Sequence, residues 1–214
     1  MAAGKRIGFS DLVALIANRE VKHRVIIAMT GAPGSGKSAV AERLTGELNS
    51  QQRDSTAILP MDGFHFDDAV LRQLGLYERK GAPETFDVPG LKHTLTRMRR
   101  NLESSVAVPV FDRDLELSRA AARLIPRSVR RVIVEGNYLL VKQEPWSSLH
   151  ELFDLTIMLD VHQNVLRERL RQRWVGYGMS AAEVARKVEE NDLPNGRIVA
   201  RTSVEAGFYL DNTA

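Results

Sequence analysis

The chain has 214 residues, of which 43% are hydrophobic and 27% charged, with no cysteine and a net charge of +3. That length and apolar content suit one domain with a sizeable core. The missing cysteines exclude disulfides, thiolate metal sites and thiol catalysis, and so small a net charge argues against a dedicated nucleic-acid binder. No stretch approaches the ~20 apolar residues that span a bilayer, and the basic N-terminus lacks the long apolar core of a leader. The expectation is a cytoplasmic protein with no membrane and no nucleic-acid partner.

In chain order, Ser10 is placed to cap a first helix with Leu12, Val13, Leu15 and Ile16 on its apolar face. Arg24–Met29 is short, β-branched and apolar on both sides, as a central parallel strand should be. A glycine-rich turn follows over Gly31–Gly36, then a helix over Lys37–Leu48 with Val40, Leu44 and Leu48 at helical spacing. Thr56–Pro60 reads as a second strand leading to Asp62, Ala69–Leu76 as a short helix, Lys80–Pro89 as a loop and Val88–Leu102 as a helix with basic residues on one side. Val106–Phe111 alternates but contains Pro109, which predicts an edge strand. Arg131–Gly136 and Leu155–Asp160 are further buried strands, His162–Tyr177 and Ser180–Asp192 are helices, and Phe208–Leu210 is a last strand. Strands alternating with helices predict an α/β fold with a parallel sheet covered on both faces. Residues 63–130, richer in loops, arginine and proline, read as an insertion shaping an acceptor site within a single domain of residues 1–214.

Gly31-Ala32-Pro33-Gly34-Ser35-Gly36-Lys37-Ser38 fits G-x-x-x-x-G-K-[ST] in full, between a buried strand and a helix that continues through Ala39. The glycines let backbone N–H groups curl around a polyphosphate, and the helix N-terminus adds partial positive charge. Lys37 is then the β/γ-phosphate ligand and Ser38 the hydroxyl on Mg²⁺, with ATP as cofactor. No Asn-Lys-x-Asp guanine reader and no Leu-Ser-Gly-Gly signature is present, which turns the reading from GTPases and transporter ATPases toward a small-molecule kinase of the P-loop NTPase type. Such a kinase needs an acceptor base, metal ligands and a lid.

Asp62 and Glu135 each follow an apolar strand, where ligands bind in parallel sheets. Asp62 is a candidate for the acceptor hydroxyl's base or a metal ligand, the alternative being a helix cap. Its neighbour Gly63 lets the chain turn sharply. Glu135 takes the position of an acidic metal helper, the alternative being a solvated strand end. Asp160 is read as a cap for the helix near His162. Arg167, Arg169, Arg171 and Arg173 flank the stripe Leu166, Leu170 and Trp174. They can serve as a lid over residues 162–178 that absorbs phosphoryl charge, or as a solvated basic face, the commoner fate of charge runs. His65 either bonds the acceptor or sits in the wall, and Phe64, Phe66, Phe86 and Phe111 line a pocket or pack. Arg113, an acceptor-side candidate, is as generic as Arg119 and Arg123. His93, His150 and His162 lack metal-ligand spacing.

These segments together resemble the P-loop kinases grouped as uridine kinase, phosphoribulokinase and bacterial pantothenate kinase, over about Val25–Leu210. Asp62-Gly63-Phe64 is similar to the segment that carries the family's base, and Arg79-Lys80-Gly81-Ala82-Pro83-Glu84-Thr85-Phe86-Asp87 is similar to the acceptor segment of the pantothenate kinase branch. Val132–Leu140 resembles the strand ending in Glu-Gly, and Asn191 and Asn195 resemble a paired Asn near the nucleotide base. The resemblance implies ATP and Mg²⁺ as cofactors and a small alcohol as acceptor. It implies Asp62 as base, Ser38, Asp62 and Glu135 at the metal, and Arg169 and Arg173 in the lid. Arg79, Lys80, His65, Phe86, Arg113 and Glu135 fall around the acceptor, and a homodimer is among the family's assemblies. The insertion reads Val108-Pro109-Val110-Phe111-Asp112-Arg113 rather than a Tyr-Ser-His type of segment, which turns the expectation from pantothenate. Asp-Gly-Phe-His and Asn191-Asp192-Leu193-Pro194-Asn195-Gly196 are closer to a bacterial subgroup that is uridine-kinase-like and includes sugar kinases labelled as fructokinases. The acceptor expected first is thus a sugar such as fructose, with a nucleoside or pantothenate-like compound next. A nucleotide-dependent binding module or regulatory ATPase is the alternative from another class.

Overall fold

The protein is described here from a computed structural model that covers residues 4–19 and 23–213. Its main sheet has six strands in the order β1-β8-β7-β2-β6-β3. In chain order these are β1 (Lys5–Arg6), β2 (Val25–Gly31), β3 (Thr56–Pro60), β6 (Arg131–Glu135), β7 (Leu155–Asp160) and β8 (Phe208–Asp211). Each pairing is parallel. A strand buried on both faces has no polar side to spare, which is why β2 reads as an unbroken apolar run.

Alternate residues of β2 feed two cores. Val25, Ile27 and Met29 face α1 (Phe9–Ala17) and α2 (Lys37–Gln51), through Leu12, Ile16, Leu44 and Leu48. Ile26 and Ala28 face Leu91 and Leu95 of α4 (Val88–Arg100) and Val199 of α7 (Leu193–Thr202). Burying each such aliphatic side chain contributes about 2 kcal/mol.

The chain between β3 and β6 contains α3 (Asp68–Gln73), α4 and a two-stranded antiparallel ribbon of β4 (Ser105–Asp112) and β5 (Leu117–Pro126). Asp87 ends the acceptor-like motif and caps α4, accepting from the Gly90 N–H at 2.9 Å. The Val106–Phe111 strand belongs to this ribbon rather than to an edge of the main sheet, and Pro109 sits at the bulge between Val108 and Val110. Strand β5 has no counterpart in the sequence reading, because its largely exposed residues show no apolar alternation. Buried Arg24 fastens the ribbon's base to the sheet by donating to the carbonyls of Val129 (2.9 Å) and Pro126 (2.7 Å).

Three local expectations are corrected. Ser10 lies inside α1, whose N-cap is Gly8. Asp160 caps nothing: His162 holds the N-cap of α5 (Gln163–Gly176), and Asp160 pairs with Arg6 at 2.9 Å. The helix expected over Ser180–Asp192 runs on, as α6 (Ala181–Arg186), a π-helical segment Lys187–Asp192 and then α7. Pro194 has no N–H for the α-helical ladder, and the wider π turn absorbs that gap without ending the helix. Among the described residues, no helix is long and apolar enough to cross a membrane.

Candidate active site

Register brings the chemistry to one edge. Met29 of β2 pairs with Glu135 of β6, and Glu135 pairs with Pro60 of β3, so the three carboxyl ends are level. The Gly31–Ser38 loop, Asp62 and Glu135 therefore open onto one crevice, where ligands bind in such sheets. The cleft there measures about 360 Å³.

Gly34 and Gly36 are left-handed, at φ +79° and +84°, a conformation that costs glycine nothing. They curl the loop onto the N-terminus of α2, leaving backbone donors for a polyphosphate. Lys37 is 9% exposed, and its Nζ donates to the Ala32 carbonyl at 3.0 Å. Burial pushes it down to about 8, against the charges of Glu135 and Asp62. Glu135 is 8% exposed and is pushed up to about 7, by burial first and then by the charge of Asp62, while Lys37 and a hydrogen bond from Ser38 act the other way. A hydroxyl beside crowded carboxylates is a donor set that suits a hard cation sharing phosphate oxygens. Among the described residues no cluster of three or more His, Cys, Asp or Glu forms a protein-only cage.

Asp62 sits in a 3₁₀ turn, Met61–Phe64, directly after β3, and its carboxylate accepts from Arg113 at 2.9 Å. Arg113 comes from the ribbon's turn, which Asp112 shapes by accepting from the N–H groups of Asp114 and Leu115. Gly63 has no positive φ; its requirement is closeness, since a Cβ there would stand 2.5 Å from the Pro109 carbonyl oxygen. The sharp turn expected at Gly63 is thus a close approach to the ribbon. Phe66 N–H donates to the Thr85 carbonyl and Asp87 N–H to the Phe64 carbonyl, so the two motif segments lie side by side. His65 consequently packs in a tilted contact on Phe86, ring centres 3.9 Å apart, and lies 5.1 Å from Phe111. Burial lowers its pKa.

Of the acceptor candidates, Lys80 lines the cleft, held by Asp68 at 2.7 Å and the Glu116 carbonyl at 2.8 Å. Arg79 is not among the lining residues and pairs with Glu84. Asn191 and Asn195 line the cleft beside the acceptor-like loop, and Asn195 reaches the Gly81 carbonyl at 3.5 Å. Arg173 lines the cleft, whereas Arg169 donates to the Asn212 carbonyl at 2.9 Å and Arg167 binds Glu189 at 2.8 Å. Residue-by-residue reading missed Asn137, which lines the cleft, and three further contributors. Buried Tyr138 donates to the Gly81 carbonyl at 2.6 Å, Lys187 lies over the Trp174 ring, and Asp192 accepts from Trp174 Nε1 at 2.6 Å. The Gly-Asn-Tyr run after Glu135 was the available signal for Tyr138; Lys187 and Asp192 had none beyond helical spacing.

A polyphosphate nest beside a carboxylate in one polar cleft is the layout of a P-loop kinase, an enzyme that moves phosphoryl groups from ATP to a small molecule. The chain belongs to the phosphoribulokinase/uridine kinase family, whose profile matches residues 26–191. A Schizosaccharomyces pombe protein named "Putative uridine kinase" is 31% identical over 89% of this chain and 85% of its own length. The Escherichia coli protein YggC, itself uncharacterized, is 31% identical over 94% and 84%. The crystal structure of a "putative fructose transport system kinase" from Silicibacter is 33% identical, covers 95% of this chain and 98% of its own, and superposes with a TM-score of 0.87.

Proposed function

We propose that this kinase transfers the γ-phosphoryl group of MgATP to a hydroxyl of an uncharged polyhydroxy compound, a free sugar such as fructose. The observation that carries this reading is charge pairing in the acceptor half of the cleft. Two cations beside Asp62 have carboxylate partners, Arg113 with Asp62 and Lys80 with Asp68, while of the cleft's other cations Lys37 and Arg173 are assigned to the phosphates and Lys187 lies over the Trp174 ring. An acceptor bearing a carboxylate or phosphate would need an uncommitted cation, because a charge taken out of water without a partner is costly. A sugar needs hydroxyl partners and a ring face, which Asn137, Asn191, Asn195 and the His65–Phe86–Phe111 group offer. The name given to the Silicibacter protein points the same way. The aromatic group also suits a nucleobase, which makes a nucleoside the second reading.

In this scheme the acceptor oxygen forms its bond to the γ-phosphorus as the bond from that phosphorus to the β,γ-bridging oxygen breaks. The hydroxyl proton passes to Asp62, whose carboxylate Arg113 orients, and ADP leaves. Lys37, the loop N–H groups and Arg173 stabilise charge on the phosphoryl oxygens, and catalysis is mostly positioning and electrostatics. Mg²⁺, held by Ser38, Glu135 and phosphate oxygens, would supply further charge neutralisation.

The test is ADP release with MgATP against hexoses, nucleosides, pantothenate and glycerate, with product masses measured. A hexose that raises ADP release and gains one phosphate is the expected result. Turnover of pantothenate or glycerate with no hexose product overturns the charge-pairing argument. ATP binding with no acceptor phosphorylated favours a regulatory ATPase.

A further inference from the structure

The last turn of the main sheet grips the phosphate loop from outside. Asn212, directly after β8, donates from Nδ2 to the Ser35 carbonyl at 2.8 Å. Its own N–H donates to the Asp160 carbonyl at 3.0 Å, and its carbonyl accepts from Arg169 of α5 at 2.9 Å. One residue thus ties the loop to the end of β7 and to α5. The contact requires the glycine at 36, where a Cβ would stand 2.6 Å from Asn212 Nδ2.

A trans peptide is planar, with its C=O and N–H pointing in opposite directions. Holding the Ser35 carbonyl outward on Asn212 therefore turns the Gly36 N–H the other way. Gly36, Lys37 and Ser38 line the cleft on that opposite side, and Asn212 does not. Freed of the amide, the Ser35–Gly36 peptide has a glycine on one side and can rotate cheaply, since glycine accepts most φ values. We propose that Asn212 is a positioning residue for the ATP polyphosphate: it fixes the Ser35–Gly36 peptide plane so that the Gly36 N–H faces the phosphates, and it touches no phosphate itself. Through its carbonyl it couples the same plane to Arg169.

The experiment needs no acceptor, so it stands apart from the sugar reading. Asn212→Asp keeps the shape and the main-chain bonds but presents an acceptor to the Ser35 carbonyl; Asn212→Ala removes the amide without adding charge. Affinities for MgATP and for inorganic tripolyphosphate are measured by calorimetry, adenosine affinity by its competition with MgATP in the same titrations, and folding by thermal melting. Loss of one oriented donor predicts that both variants bind MgATP and tripolyphosphate about tenfold more weakly, by the same factor, with the adenosine constant unchanged. Unchanged tripolyphosphate affinity in either folded variant overturns the proposal. So does a loss that adenosine shares in full, which would mark Asn212 as a packing or base contact.

Discussion

Glu135 and Lys37 bury opposite charges where solvation is poor, and their titration carries a stability cost. The folded pKa of Glu135, about 7, lies above its ordinary 4.5. Its contribution is therefore fully present below about 4.5 and is lost as pH rises through about 7. Lys37 is lowered from 10.5 to about 8, so the cost of its charge persists below about 8 and is relieved above it. In Mg-free buffer, the melting temperature of Glu135→Gln minus that of the wild type should increase from pH 5 to pH 7 and level off beyond. A flat difference across that window would remove Glu135 from the buried pair. Asp62 is expected to behave differently, because it is a proton acceptor in the proposed scheme. Asp62→Asn should retain MgATP binding within about twofold while kcat falls by ~10²–10⁴. Equal loss of ATP affinity and turnover would make Asp62 a metal ligand or structural group instead. Lys37 was legible from its place in the Gly31–Ser38 motif, and Asp62 and Glu135 because each follows an apolar strand. Arg113 as the partner of Asp62 was not, since the two are 51 positions apart and only the ribbon's fold joins them.

At the scale of elements, the ribbon's seat decides whether the proposed acceptor half is formed. Gly63 admits the ribbon backbone at Pro109 so closely that any side chain must push it away. Gly63→Ala should lower kcat/KM for the acceptor by roughly tenfold or more, given how steeply rate depends on positioning, with KM for ATP little changed. Steady-state kinetics with each substrate varied in turn checks this, and a selective rise in the ATP constant would contradict it. The central strands were legible because two-sided burial selects unbroken apolar runs, as in Val25–Met29 and Val132–Val134, whereas exposed β1 (Lys5–Arg6) was not. Strand β5 was hidden because a ribbon exposed to water has no apolar face to advertise. The continuation past Asp192 into α7 was hidden for another reason: Asn, Pro and Gly normally end helices, whereas Val188 and Leu193 pack with Leu166 and Leu170 where this helix runs on.

The whole molecule sets one cleft on one sheet edge, with the phosphate loop on one side and the Asp62–Arg113 pair on the other. Occupying the nest should stabilise the entire fold, because ligand that binds only the native state raises stability by about 2.7 kcal/mol at 100 times Kd. For a chain of this size that corresponds to a melting-temperature rise of roughly 5–11 °C. Scanning calorimetry should find this shift with MgATP in the wild type and in Asp62→Asn, and should find it largely abolished in Lys37→Ala. A full shift in Lys37→Ala would contradict its placement at the phosphates.

The division between sequence and structure follows from the range of the interactions involved. The phosphate loop was determined by eight consecutive residues, since a nest is made of neighbouring N–H groups whose φ angles glycine spacing alone permits. The parallel α/β class was likewise local, written in the alternation of apolar runs and helical spacing. Tertiary structure decided which of two adjacent basic residues faces the cleft, Lys80 and not Arg79. It also decided that Asn212 holds Ser35 from 177 positions away, and that Arg113 and Lys80 pair with Asp62 and Asp68. Those are pairings between distant segments, and a charge or an amide in a sequence does not specify its partner until packing brings one within hydrogen-bond reach.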